Sequence, residues 1–525
     1  MKKIILFATL IISILLISCD KESLKLENPN EPGLGALRSE VGFQKAALGV
    51  YNPMQYNYFI WFAFGDHNAM GDAMTISAGN FGWRWVNQVS SVTRPNGTKV
   101  LPPQGGPQPD MLKQRNDRGL AEDNSFFHEW IPMYGTIGHA NLMLSILDEV
   151  NFTGTDAEKD IKKRTYKAWF LWWKGYAYSR IGSIYSKGII NDNYSELVTT
   201  YSSHEEIIAE AEKIFEEAKA AVNGIDDNNP IYGALMSSFV PSSFRSGTGG
   251  LISPRMFERN INSYLARNIL VNKYAKDLTD AELTKIETLA SNGIKENDKI
   301  FNMRTDIDDA ACFLYQTTWT SYRSLVGWEN LSERLVQDFK PGDDRYARNV
   351  LKRPTVNFNP SGRGISYGTR FILKNGGDYA STTPGAIDLP FACSYEETQL
   401  MLAEAKIRKN QIDAGLAHID AVRTHQNAKL AAVANKGLDK TAALEELRKE
   451  RRIGLFLKGV AFYDARRWGI LKPVSEGGGR TNANVVVAAD GTVEACTIDY
   501  NYMEWWDVPA NETDFNPIEI PGTPN

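Results

Sequence analysis

Apolar residues recur at three- and four-residue steps along much of the chain, the spacing that keeps them on one face of a helix. Phe127, Trp130, Ile131, Tyr134, Ile137 and Leu142 predict one such helix. A second candidate, Ile161 to Tyr185, carries Trp169, Phe170, Trp173, Tyr176 and Tyr178, and a third, His204 to Val222, is marked by Ile207, Ile208, Ala211, Ile214, Phe215 and Ala218. Further helices are predicted over Phe257–Tyr274, Ser394–Lys409, Asp413–His425 and Thr441–Phe456, with a first one beginning near Arg38. Ser394–Lys409 and Asp413–His425 are separated by a very short turn at Asn410, and Ala403, Ala405, Ala414 and Ala417 supply small residues for close packing. Antiparallel pairs of this kind are tetratricopeptide-like. Trp169, Trp172 and Trp173 cluster at helical spacing and are expected in the core, as is Trp61 in its apolar run.

Two long segments break this pattern. Gly65 to Asp123 and Phe301 to Leu389 are rich in Gly, Pro, Asn, Thr and aromatics and resist a helical reading. Loops of that length inside a compact domain are functional or disordered, and the aromatic content argues for the former. In Gly79–Asn87, Trp83 and Trp85 stand two apart, so an extended backbone would turn both to one side. Flat indole faces suit the C–H-rich faces of pyranose rings, while Arg84, Asn87 and Asp72 could bond hydroxyls. The competing reading is a locally buried aromatic pair. In the second segment Tyr315, Trp319, Tyr322, Arg323 and Trp328 form a similar set, with Trp319, Tyr322 and Trp328 as candidates for the opposite wall of one groove.

The amino terminus follows a different logic. Lys2 and Lys3 precede an apolar run, Ile4 to Ile17, that is short for a membrane span and ends Leu16-Ile17-Ser18-Cys19. That order is the pattern of a bacterial lipoprotein signal, with Cys19 as the acylated first residue after cleavage; an ordinary signal peptide or a short membrane helix is the alternative. Asp20 to Ala36 is polar and reads as a tether. The whole chain of 525 residues has 58 basic and 63 acidic side chains, a mild acidity that argues against nucleic acid. Cys312, Cys393 and Cys496 match no zinc spacing and are expected as buried free thiols. Asp226–Asn229 and Asp306–Asp309 lack the calcium-loop pattern, so solvated loops are expected and no metal or cofactor is implied. None of the six histidines stands in a recognisable catalytic motif, and no carboxylate pair is singled out, so no catalytic residue is assigned.

One stretch has family character. Glu450-Arg451-Arg452-Ile453-Gly454-Leu455-Phe456, then Gly459, Asp464 and Arg467-Trp468-Gly469, resembles the C-terminal signature of the SusD/RagB lipoproteins. Ser394 to Ala405, the helix ending at Val422-Arg423, and Trp506-Asp507-Val508-Pro509 with Glu512 and Asn516-Pro517 are similar to other parts of that signature, and Trp130–Asn141 and Ala168–Gly182 to the helices that open the fold. Gly454, Lys458-Gly459 and Thr424-His425-Gln426 depart from the family pattern. The resemblance implies a mostly α fold in which four tetratricopeptide-like helix pairs form a right-handed superhelical scaffold with long irregular ligand-facing insertions. It also implies a lipid-anchored, outward-facing outer-membrane protein that captures oligosaccharides, or in some lineages peptides. Such a protein would serve a SusC-like TonB-dependent transporter and do no chemistry. A surface glycoside hydrolase with a helical toroid is the alternative; an importer's solute-binding lobe would need alternating strands and helices.

On this reading residues 1–18 are the signal, 19–36 the lipidated cysteine and tether, and 37–525 one domain. Its scaffold falls mainly in 37–64, 124–225, 257–292 and 391–470, and its insertions are 65–123 and 301–390. Glu450, Arg451 and Arg452 follow Leu444 and Leu447 on a helix, so at least one arginine should turn inward and need a carboxylate, for which Glu404 is the candidate. Trp468 is expected to plug the core at the end of that region.

Overall fold

The computed structural model describes residues 34–518, apart from 51–52, 54–58, 60, 77–81, 88, 103–107, 241–244, 246, 305–328, 359–367 and 381–386. It is mostly helical. The principal helices are α1 (Glu40–Leu48), α2 (Phe127–Ile146), α3 (Asp156–Ile184), α4 (His204–Val222), α5 (Pro230–Phe239) and α6 (Pro254–Val271). They are followed by α7 (Asp280–Ser291), α8 (Tyr395–Arg408), α9 (Ile412–His425), α10 (Lys440–Gly454) and α11 (Ala461–Arg467). Neighbours in sequence pack as pairs, α2 on α3, α3 on α4, α6 on α7 and α8 on α9, in the manner of tetratricopeptide-like repeats.

Local chemistry sets the starts of these helices. Thr155 with Glu158, Ser203 with Glu206 and Thr279 with Glu282 form reciprocal capping boxes, each satisfying backbone donors that the first turn leaves open. Asn229 caps α5, where Pro230 occupies the first turn, a position that needs no amide donor. The turn between α8 and α9 passes through Asn410, which takes the left-handed conformation at φ 64°.

Helix α3 is the axis of the core. From Thr165 to Tyr185 every residue but Lys167 is buried. Trp169, Trp172 and Trp173 are fully enclosed, and Phe301 lies flat on Trp172 with centroids 3.6 Å apart. Phe391 meets Trp173 and Tyr176 edge-on at 5.5 and 5.8 Å. These phenylalanines flank the second insertion, whose ends are then joined by the antiparallel pair Asn302–Arg304 and Asp388–Pro390. The insertion therefore leaves the scaffold through a two-stranded neck whose foot is packed into the tryptophan core.

The segments expected to resist a helical reading contain short helices as well as strands. Trp61–Asp66 is a π-helical turn, and Gln108–Lys113, Glu333–Asp338 and Asp344–Asn349 are α-helical. One four-stranded sheet takes Met74–Ile76, Glu329–Leu331, Thr369–Leu373 and Val350–Asn357 in that order, joining the two insertions. The other takes the C-terminal hairpin Arg480–Val486 and Val493–Asp499 together with Ser91–Thr93 and Lys99–Val100 from the first insertion.

The Glu450–Gly469 stretch organises the scaffold by charge. Glu450, Arg451, Arg452, Asp464 and Arg467 are all buried. Glu450 accepts from Arg345 and from Arg423, the latter at 2.8 Å. Arg451 and Arg467 share Asp464 at 2.8 and 2.7 Å. Glu404 pairs with Arg467, at 2.8 and 2.6 Å, and with Arg408, rather than with an arginine of the 450–452 run. Trp468 also departs from expectation. It is only half-buried, with the Arg467 guanidinium 5.0 Å from its ring, while Trp506 joins the indoles sealed in the core.

Cys393 and Cys496 are buried free thiols, while Cys312 and Asp306–Asp309 lie outside the described residues. No helix among the described residues is long and apolar enough to cross a membrane.

Two expectations follow for stability. Trp172→Ala removes the surface on which Phe301 and Tyr176 stack and should cost about 3–5 kcal/mol, read as a lower denaturant midpoint. Burial depresses His67 to about 4 and His128 to about 3, so both stay neutral in the fold while the unfolded chain takes up protons below about pH 6.5. Stability should be full above that pH and decline as pH falls towards 4, by about 2 kcal/mol per histidine at pH 5. Denaturation of His67→Gln across this window should show a shallower decline than the parent.

Candidate functional site

The two insertions and the C-terminal sheet meet at Asp72. This residue is buried and held at φ 54°. Its carboxylate accepts from Arg334 Nε at 3.0 Å and Nη2 at 2.7 Å, from Ser332 Oγ at 2.9 Å and from the Tyr500 hydroxyl, with Arg480 Nε at 3.4 Å. Burial pushes its pKa up, but Arg334, Arg480 and Arg452 outweigh that and hold it below the usual carboxylate range. Asp72 is thus committed to internal partners. The role in bonding ligand hydroxyls expected from its polar, Gly-rich surroundings is not what the fold gives it.

Arg452 completes this junction. Its guanidinium donates to the Gly71 and Asp72 carbonyls at 2.8 Å each and to Asp338 at 2.6 Å. Asp338 also accepts from Arg448 at 2.7 Å. The signature helix α10 therefore grips the start of the first insertion through its backbone and the second insertion through a carboxylate. Gly71 makes room for this, since a Cβ there would lie 2.5 Å from the Ala461 carbonyl carbon.

The aromatic segment sits just beyond. Gly82 takes φ 71°, and a Cβ would come within 2.4 Å of the Asp123 carbonyl oxygen, so the approach to the turn needs glycine. Trp83–Val86 is one helical turn rather than an extended strand, so a two-residue spacing no longer places both tryptophan positions on one face. Val86 is buried, whereas Trp85 is half-buried with the Arg115 guanidinium 5.3 Å from its ring. Arg115 is itself oriented by Asp123 at 3.3 Å. Asn87 donates its side-chain amide to the Ile76 carbonyl at 3.0 Å, which folds the turn back against the sheet. The side chains of Trp83 and Arg84 lie outside the described structure, as do residues Tyr315, Trp319, Tyr322, Arg323 and Trp328.

The register of the sheet relates the two aromatic segments. Ile76 is the Cα partner of Glu329 in the antiparallel ladder, and Glu329 is bonded in sequence to Trp328. Asn87, two residues past Trp85, is tied to that same end of the ladder. The fold thus brings the described ends of both aromatic stretches together, although they lie far apart along the chain.

A cleft of about 460 Å³ was not foreseen from sequence. Its walls come from the end of α9 (His425, Gln426, Asn427), the turn after α10 (Phe456 to Lys458) and the second insertion (Arg348, Asp378, Tyr379, Asp388). Tyr379 and Phe456 pack edge-on at 5.1 Å, Arg348 pairs with Asp378 at 3.0 Å, and Gln426 donates to Glu396 at 3.3 Å. Burial raises the Glu396 pKa, but Lys458 and its hydrogen bonds prevail and keep it below the usual range. Arg115 and Asp123 were also missed; each sits in a polar loop whose local pattern gives no sign that it faces Trp85. Among the described residues no group of three or more His, Cys, Asp or Glu side chains could hold a metal ion.

Comparison with known proteins bears on the C-terminal part of the chain and on its fold. Residues 309–518 match the SusD family. The fold is similar to that of solved SusD structures over most of the chain. A SusD homolog from Bacteroides thetaiotaomicron VPI-5482 superposes with a TM-score of 0.59 at 14% identity, over 92% of this chain and 97% of its own. A SusD superfamily protein from Bacteroides vulgatus ATCC 8482 gives 0.56 at 14%, over 91% and 97%. A third structure, determined with xylogluco-oligosaccharide, gives 0.56 at 13%, over 92% and 99%. No curated protein matched the sequence. The stretch around Glu450, which lies inside the matched residues, is thus the part that fastens both insertions to the scaffold.

Asp72→Asn should cost about 3–5 kcal/mol, because buried Arg334 and the largely enclosed Arg480 lose their counter-charge. The depressed carboxylate contributes stability above the unfolded aspartate range, and this is lost as pH falls through the folded-state value. Acid denaturation of the variant should therefore run along a shallower limb than that of the parent.

Proposed function

We propose that this chain is a non-enzymatic surface lipoprotein that captures oligosaccharides where its two aromatic insertions meet. It would then deliver them to a SusC-like TonB-dependent outer-membrane transporter. The observation that carries the reading is the Ile76–Glu329 ladder end, to which Asn87 is also tied. It supports a single binding face fed by Trp83 and Trp85 from one insertion and by Trp319, Tyr322 and Trp328 from the other. Trp85 presents part of its ring to solvent while Arg115 and Asp123 fix the ring's surroundings, which limits the ordering cost of stacking a sugar on it. Arg84 adds donors to the same stretch.

Further points support capture over chemistry. Residues 309–518 match the SusD family, and one structure of a similar fold was determined with xylogluco-oligosaccharide. Acyl chains on Cys19, outside the described residues, would hold the body at the outer face of the outer membrane, each buried methylene contributing about 0.8 kcal/mol.

The test is titration of the mature chain against an oligosaccharide panel that includes xyloglucan fragments, with product analysis after long incubation. Binding without cleavage is expected. Trp85→Ala and Trp83→Ala should each weaken binding by about 1–3 kcal/mol with unchanged melting behaviour. Unaltered affinity in both variants, or accumulation of shorter products, would overturn the assignment.

A further inference from the structure

The C-terminal segment carries a large ring in an unusual setting. Phe515 is 74% exposed, yet the backbone on both sides of it is fixed. Before it, Asn116 donates to the Val508 carbonyl at 2.9 Å and accepts from the Ala510 amide at 2.7 Å, and Asn124 donates to the Asn511 side chain at 3.3 Å. After it, Tyr201 donates to the Asn516 carbonyl at 2.7 Å and Asn516 donates to the Thr199 carbonyl at 2.9 Å. Terminal segments are ordinarily loose and scattered exposed apolar residues carry no meaning, but a ring mounted on a clamped backbone is a different object.

The ring is also accompanied. The Arg118 guanidinium lies 4.7 Å from its centroid and is held there by Asp514 at 3.1 Å. This repeats, three residues along the same loop, the arrangement in which Arg115 covers Trp85 and is held by Asp123. Three residues span at most about 10 Å. The two aromatic rings thus flank one short piece of the first insertion, each with a guanidinium and a carboxylate beside it.

We propose that Phe515, with Arg118 and Asp514, is an outlying stacking subsite that extends the glycan site beyond Trp85 and favours longer chains. This rests on the oligosaccharide reading given above. The ring offers apolar area already immobilised, and the ion pair offers a donor and an acceptor for hydroxyls, the combination that orients a pyranose. Protein-partner contact is the competing use of an exposed ring.

The experiment compares the full mature chain with Phe515→Ala, Arg118→Gln and Trp85→Ala. An oligosaccharide that binds is first identified on a glycan panel and then titrated as a series of increasing length. Phe515→Ala should leave the shortest binding fragment unaffected and weaken the longest roughly tenfold. Arg118→Gln should give a smaller loss of the same length dependence, and Trp85→Ala should weaken all lengths. Equal affinity of Phe515→Ala and parent at every length, with Trp85→Ala impaired, overturns the subsite and leaves the capture reading standing. Failure of every glycan to bind, or indifference of all three variants, overturns both. Phe515 is largely solvent-exposed, so matching melting curves are expected and serve as the check on folding.

Discussion

A guanidinium withdrawn from water must find carboxylates or carbonyls, and in this protein that requirement fixes where the insertions stand. Arg452 spans Gly71, Asp72 and Asp338, and Asp72 in turn holds Arg334. Two loops distant in sequence and a C-terminal hairpin are thereby tied to one helix of the scaffold. Hydrophobic packing alone would press these parts together without choosing their register. Ion pairs with two-pronged geometry choose it, because a guanidinium displaced by an ångström loses its bonds.

The same logic continues inward. Glu450 joins Arg345 of the second insertion to Arg423 of α9, and Asp464 and Glu404 join α11, α10 and α8 through Arg451 and Arg467. Each position in this network uses both a particular charge and a particular reach. Its residues lie away from the aromatic segments. They set the placement of both insertions from the scaffold side.

The helices could be read from the chain because their apolar period and the turn at Asn410 are local signals. The capping boxes at Thr279 and the Asn229-Pro230 start mark α7 and α5 just as plainly, in polar rather than apolar residues. The sheets could not be read, since Met74–Ile76 is three residues long and its partner, Glu329–Leu331, lies far along the chain. Asp72 reads as a surface acid because nothing near it in sequence reveals Arg334 and Arg480 above it. Trp468 failed for the opposite reason: an indole inside a conserved-looking motif suggests the core, but here it closes a helix at the surface. At Trp83 and Trp85 the residue types pointed to a stacking chemistry, while the helical turn that carries them depends on Gly82 fitting against Asp123, a contact without local trace.

The neck formed by Asn302–Arg304 and Asp388–Pro390, rooted on Trp172 and Trp173, makes the second insertion a cassette. Everything between the strands can lengthen, shorten or be exchanged while the root keeps the same footprint. The body that presents the cassette needs no refolding when its contents change.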